Sequence, residues 1–422
     1  MQKLVESKIL HIKPFMFSSF IQPKVLCFAD CYLPGYKAGG PIRTISNMVS
    51  QFAGEFEFLI VTKDRDLSDT VPYPNILIDQ WNIVGQAKVF YASPSTFSFF
   101  GLMRLLRNTP HDILYLNSFF SPLATIIPLI IRRINIYGKK PVIIAPRGEF
   151  SVGALALKAN KKKLFLCFAK YSGLYSNLIW QASSDCEMKD IFRTMFNIMV
   201  APNIMVAPDL ISLHEQNVDM GFAKNDARAP GPLRVVFLSR ISPKKNLDYL
   251  LRTLNKVTVP VELSIYGTIE DIAYWSHCKR LIQTLPPHTI VTYKGEVLHE
   301  QVAHTFAAHD VFIFPTRGEN FGHVIYESLS NGTAVIVSDQ TPWTSDPHGA
   351  VKVLSLEQPD VWTTVINQRA SFNEQAYAEQ RVAALLYAKT YFATSPAMEQ
   401  NRSLFLSALG RRSLKCLTTD LD

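Results

Sequence analysis

Cysteine is scarce in this 422-residue chain, and the six present (Cys27, Cys31, Cys167, Cys186, Cys278 and Cys416) include no C-x-x-C pair. That excludes a disulfide-stapled scaffold and the usual thiolate zinc sites, leaving reduced thiols as the simplest reading. Charged residues are only 18% of the chain, with 19 Gly and 25 Pro, which excludes disordered and collagen-like classes. An unbroken apolar run of membrane length is missing. Residues 113–131 have the length, but Asn117, Ser118, Ser121, Pro122 and Pro128 interrupt them, so they read as buried strand, loop and helix. Residues 1–23 scatter Lys3, Lys8 and Lys13 among apolar residues without an h-region or cleavage site, and do not read as a signal peptide. No solenoid repeat is visible, and no G-x-G-x-x-G supports nicotinamide binding.

What is present is a chain with 48% hydrophobic residues, long enough for two or three domains. Short β-rich runs alternate with helical stretches, the pattern of parallel sheets built from βαβ units. Strands are expected at 24–30, 56–62, 87–92, 112–118, 141–146, 178–183 and 198–206, with helices at 41–53, 95–107, 121–135 and 185–196. Ser184 and Glu187 open the last helix as a capping box. A polar stretch at 214–232 reads as a linker. The alternation restarts with strands at 233–239, 261–266, 289–294, 310–315, 334–338 and 350–354. Helices are expected there at 246–257, 270–284, 299–308, 322–331 and 360–370. The expected architecture is α/β: two Rossmann-like, doubly wound domains facing across a cleft. They span 1–213 and 233–395, and a segment at 396–422 packs back towards the first. Ligands of such sheets sit beyond the carboxyl ends of the strands, so the cleft is the expected site.

The net charge of +8 is unevenly placed. Residues 1–209 hold 23 Lys/Arg and 14 Asp/Glu, giving +9, and the rest carries −1. No nucleic-acid motif accompanies the excess. Lys158, Lys161, Lys162, Lys163 and Lys170 interleave with Leu164, Phe165, Leu166 and Phe168, so an anionic membrane surface is the favoured partner, against a solvated face over a core.

The most informative stretch is DVFIFPTRGENFGHVIYESLSNG, residues 310–332. A strand ends at Pro315, Glu319 lies in a polar loop, and Glu327 lies in the second turn of the following helix. The two carboxylates can face different parts of one extended ligand. Between them, the amides of Phe321, Gly322, His323 and Val324 form a helix start, where free N–H groups and the helix dipole favour an anion. This Glu-x7-Glu pattern with an internal Phe-Gly resembles the signature of glycosyltransferase family 4. That is a group of GT-B-fold, retaining, nucleotide-sugar-dependent transferases. The resemblance implies that Glu319 contacts the donor sugar and Glu327 the nucleotide ribose. Relatives usually carry Gly where this chain has Asn320.

In LRVVFLSRISPKKNLDYLL (233–251), a buried strand delivers Arg240, with Lys245 five residues on. Fixed cations at a strand end suit a diphosphate. The resemblance gives both that role, with Lys244 as the adjacent alternative. In the first βα turn, Gly39 and Gly40 let backbone amides approach a phosphate, and the family implies a Gly-Gly loop closing over the donor diphosphate. Arg147 and Glu149 follow another buried strand, where many relatives carry a His that touches the donor sugar. Contact with donor or acceptor and a structural salt bridge both stay open. Lys294, in YKGEV, and Gly267 are expected near the nucleobase and the cleft floor. Asp64-Arg65-Asp66 has the form of a metal-binding D-x-D but reads as an acidic turn.

These features imply a transferase, cytoplasmic or peripheral on the inner face of the plasma membrane, moving a sugar from a nucleoside diphosphate to a glycan or lipid-linked hydroxyl. The expected setting is surface polysaccharide synthesis, without cofactor or metal. Alternatives are another GT-B enzyme (a phosphorylase or nucleotide-sugar epimerase) and a non-catalytic assembly partner.

Overall fold

A computed structural model describes residues 22–134, 140–156, 158–195, 203–212 and 231–410. Most of the 214–232 linker, residues 1–21 and the 411–422 tail lie outside the described residues.

The first sheet contains β1 (Lys24–Phe28), β2 (Glu57–Lys63), β3 (Trp81–Val84), β4 (Ala87–Ala92), β5 (Ile113–Leu116), β6 (Val142–Ile144), β7 (Ile179–Ala182) and β8 (Asn203–Val206). Its spatial order is β3-β4-β2-β1-β5-β6-β7-β8, parallel except for the antiparallel β3 edge. Its helices are α1 (Gly40–Phe52), α2 (Phe99–Asn108), α3 (Ile127–Arg133), α4 (Val152–Ala156), α5 (Ala159–Ser172) and α6 (Asp185–Met195). The helix expected at 121–135 begins instead as a wider π turn over Pro122–Ile126.

The second sheet contains β9 (Leu233–Leu238), β10 (Val261–Tyr266), β11 (Thr289–Gly295), β12 (Val311–Phe314), β13 (Ala334–Ser338) and β14 (Val351–Leu354). All its pairs are parallel, in the order β11-β10-β9-β12-β13-β14. Around it lie α7 (Leu247–Leu254), α8 (Ile272–Ile282), α9 (His299–Ala307), α10 (His323–Ser330), α11 (Pro359–Ala370) and α12 (Glu374–Thr394). The last helix, α13 (Ala397–Ala408), crosses to the first domain. There Leu404 and Phe405 join the core formed by Val25, Phe52, Phe58 and Tyr115.

Buried runs such as VFIF and AVIVS, apolar on both faces, explain why central strands accept helices on either side. Strand order reverses at β1/β5 in one sheet and at β9/β12 in the other. Such reversals open a crevice beyond the strand ends, because the loops on either side diverge towards opposite faces. The two crevices face each other.

Candidate active site

At the β9/β12 reversal the sequence-predicted residues meet. Lys245 follows β9 and Glu319 follows β12, and their side chains form an ion pair although 74 residues apart. Burial works to raise the Glu319 carboxyl, but the charges of Lys245 and Lys244 outweigh it and hold the group below its ordinary value. The mirror effect applies to Lys245, whose ammonium is lowered by burial against the pull of Glu319. Asn246 supports both: it adopts a left-handed φ of 62°, donates to the Pro315 carbonyl at 2.8 Å and accepts from Arg317 Nε at 3.0 Å. The β9 and β12 loops are thereby tied together. Arg240 stands at the end of β9 with Glu270 at 3.0 Å.

Gly322 caps α10 at φ 79°, and a Cβ there would come within 2.9 Å of Ile325, so only glycine suits this turn. The first-turn amides of His323 and Val324 have no acceptor among the described residues. Phe321 packs beneath them against Trp343, whose indole N–H donates to the Phe321 carbonyl at 2.6 Å. Glu327, one turn further, is buried and paired with Arg43 of α1.

The Gly39–Gly40 loop stands over this helix start. Gly39 turns at φ 67°, and the Cβ position of Gly40 lies 4.0 Å from the His323 ring. Thr44 Oγ1 is 3.1 Å from His323 Nε2. Burial lowers His323 to about 4; Asp209 opposes, while Arg43 and Arg147 reinforce, so the ring is neutral near pH 7. Asp66 braces the glycine loop by accepting from Tyr36 N at 2.7 Å and Lys37 N at 3.1 Å. Its partner in the D-x-D triplet, Asp64, is tied to Arg65 at 2.7 Å. Both carboxylates thus have structural work.

The structure gives Arg147 and Glu149 internal partners rather than free positions in the cleft. Arg147, left-handed at φ 53°, donates to Asn117 Oδ1 at 2.9 Å and to the Tyr115 hydroxyl at 2.5 Å, and pairs with Asp209. Glu149 accepts from Ser118 Oγ, Phe119 N and Phe120 N at 2.6–3.1 Å, holding the loop after β5. The capping box is modified as well. Ser184 Oγ accepts from Glu187 N at 3.2 Å, but the Glu187 carboxylate reaches Ser183 N and Gly148 N. Gly267 is required by close approach, since a Cβ would lie 1.9 Å from the Ser239 carbonyl. Lys294 is exposed near the end of β11, two residues before Glu296, which accepts from Tyr36 at 2.7 Å across the cleft. Lys158, capping α5, and Lys161 and Lys163 within it are exposed; the Lys170 side chain lies outside the described residues. Lys162 corrects the expected outward set by turning inward to the Ala154 carbonyl at 2.6 Å.

Sequence reasoning missed Arg43, Thr44 and Asp209. Arg43 and Thr44 lie in a motif that was read for its glycines alone, and Asp209 follows a strand with no local signal. Asn320, singled out as a departure, lies against Gly148: a Cβ there would be 2.3 Å from Asn320 Oδ1. The two departures from the family pattern therefore touch.

Residues 222–346 match the family model described as glycosyl transferases group 1. Over 112 residues the chain is 28% identical to O-antigen chain mannosyltransferase B of Escherichia coli, covering 25% of this chain and 28% of that protein. Over 117 residues it is 30% identical to D-inositol 3-phosphate glycosyltransferase of Rhodococcus erythropolis, covering 26% of each. The matched stretch thus spans little more than a quarter of these relatives. Among solved structures, sucrose-phosphate synthase from Thermosynechococcus elongatus superposes at TM-score 0.69 with 15% identity, covering 92% of this chain and all of that one. Anabaena HepE in complex with UDP-glucose superposes at 0.66 with 14% identity, covering 91% and 98%. These likenesses establish the GT-B architecture of two facing parallel-sheet domains.

Proposed function

We infer that this chain, whose second domain carries the group 1 glycosyl transferase pattern, transfers a sugar from a nucleoside diphosphate to a hydroxyl of a glycan or lipid-linked acceptor. The observation that carries the reading is the meeting of Lys245, Glu319, Glu327 and the Gly39–Gly40 loop at two facing strand-order reversals. In this reading Arg240, Lys245, the glycine loop and the start of α10 neutralise the diphosphate as it departs. Such fixed charges need no reorganisation as charge develops. Glu319 orients the sugar and Glu327 the ribose. The departing diphosphate assists the incoming hydroxyl on the same face, so configuration is retained and no enzymatic nucleophile is required. A donor would exchange the Lys245–Glu319 and Arg43–Glu327 pairs for its own phosphates and hydroxyls. No metal enters this scheme, because the carboxylates at the centre are given to sugar and ribose.

The E. coli relative's name speaks of O-antigen chains, and that supports surface polysaccharide synthesis as the setting. No described helix is long and apolar enough to cross a membrane. Helix α5 presents exposed Leu164, Phe168 and Tyr171 at helical spacing beside Lys161 and Lys163, which favours contact with an anionic lipid surface. The donor reading is tested by thermal-shift screening of nucleoside diphosphates and nucleotide sugars. A ligand that binds only the native state raises the melting temperature. A shift from at least one pair sharing a base is expected, and no shift from any would sink the reading.

A further inference from the structure

Of Lys161, Lys162 and Lys163, Lys162 is the one that turns inward, the other two being exposed. Its ammonium donates to the Ala154 carbonyl and lies 5.0 Å from the centre of the Phe120 ring. Lys244 reaches the same seam from the other domain. The Cβ position of Gly318 lies 3.8 Å from Lys244 Cε and 3.9 Å from Ser151 Oγ, and the Cβ position of Gly153 lies 3.3 Å from the Arg317 carbonyl. Ser151 belongs to the turn that leads to Ala154, through its contact with Ala154 N. Two ammonium groups from opposite domains thus flank one line of contact.

The nearby carboxylates are already committed. Glu149, which acts on Lys162, accepts three hydrogen bonds from the loop after β5, and Glu319 is paired with Lys245. Among the described residues Lys244 has no ion-pair partner. Burial lowers the Lys162 ammonium; Glu149 opposes this, and the positive charges of Lys244 and Lys158 add to it. Like charges gathered at a seam without a free counter-ion are stabilised by an anion that bridges them.

We propose that Lys162 and Lys244 form a two-domain clamp for a phosphate or diphosphate group on the acceptor, beside Glu319 and apart from the donor diphosphate at Arg240 and Lys245. The word acceptor rests on the transfer reading above; the anion site itself does not. The shared chemistry is a phosphorylated acceptor, either lipid-linked or a soluble sugar phosphate.

The test is calorimetric titration of the full-length chain, first saturated with the nucleoside diphosphate giving the largest thermal shift, with inorganic pyrophosphate. Binding is expected, weakened about tenfold or more in Lys162→Gln and in Lys244→Gln, as for loss of a charge-assisted contact. Lys162→Arg should retain it and serves as the folding control. Geranyl diphosphate binding tighter than pyrophosphate assigns the lipid-linked source, and glucose 1-phosphate binding tighter assigns the soluble one. Equal pyrophosphate affinity in the wild type and both Gln variants, or no binding by the nucleotide-saturated wild type, overturns the clamp. If no nucleoside diphosphate binds, the transfer reading fails, and the clamp is decided by the same comparison of variants with pyrophosphate alone.

Discussion

At the scale of single residues, the buried Lys245–Glu319 pair has a structural role and, on the transfer reading, a ligand-binding one, which a mutant series can separate. Removing one partner of a buried pair leaves an uncompensated charge, at a cost of about 3–5 kcal/mol, whereas removing both is far milder. Lys245→Gln and Glu319→Gln should therefore each lower the urea midpoint, and the double variant should recover much of the loss. On the transfer reading, Lys245→Gln should also weaken binding of the nucleoside diphosphate selected by thermal shift by roughly 1.5–3 kcal/mol while sparing the free nucleoside. Equal losses for the nucleoside diphosphate and its nucleoside would remove Lys245 from the phosphate. His323 supplies a pH signature. Its folded value of about 4 lies below the ordinary 6.5, so its contribution is complete above 6.5 and is lost as pH falls through 4. The groups facing it are Asp209, Arg43, Arg147 and Glu319. At about 1.4 kcal/mol per unit, His323→Gln should flatten the fall in stability between pH 7 and 4.5 by roughly 2–3 kcal/mol. Identical slopes for the two proteins in urea titrations would show that the ring is not held neutral.

At the scale of elements, the central strands were legible because VFIF, AVIVS and LRVVFL are short, apolar and bounded by turn residues. The β3 edge was not, because WNIV is half exposed and pairs on one side only. Glu319 and Lys245 were legible from motif spacing, but their pairing was not, since it is made by two loops converging from different strands. The inward turn of Lys162 was also hidden: five lysines look equivalent until the helix is packed. The exposed half of α5 yields an element-level expectation. Each cation near an anionic leaflet is worth about 1 kcal/mol, so Lys161→Ser with Lys163→Ser should release the protein from anionic liposomes, as should added salt. Leu164→Ser with Phe168→Ser should weaken binding even at low salt. Binding indifferent to all three changes would remove the membrane from the account.

At the scale of the whole molecule, two doubly wound domains bring their strand-order reversals face to face, and α13 returns from the second domain to the core of the first. Contacts between Thr44 and His323, Tyr36 and Glu296, and Arg43 and Glu327 join the domains across the cleft. On the transfer reading, catalysis in this arrangement is a matter of holding a sugar and neutralising its departing diphosphate. The most direct measurement is release of nucleoside diphosphate from a panel of nucleotide sugars supplied with mixed glycan and lipid-linked acceptors, run with and without excess chelator. Acceptor-dependent release is expected from at least one donor, undiminished by chelator and abolished in Glu319→Ala. Turnover by Glu319→Ala at the wild-type rate, or release from no donor in the panel, would contradict the account.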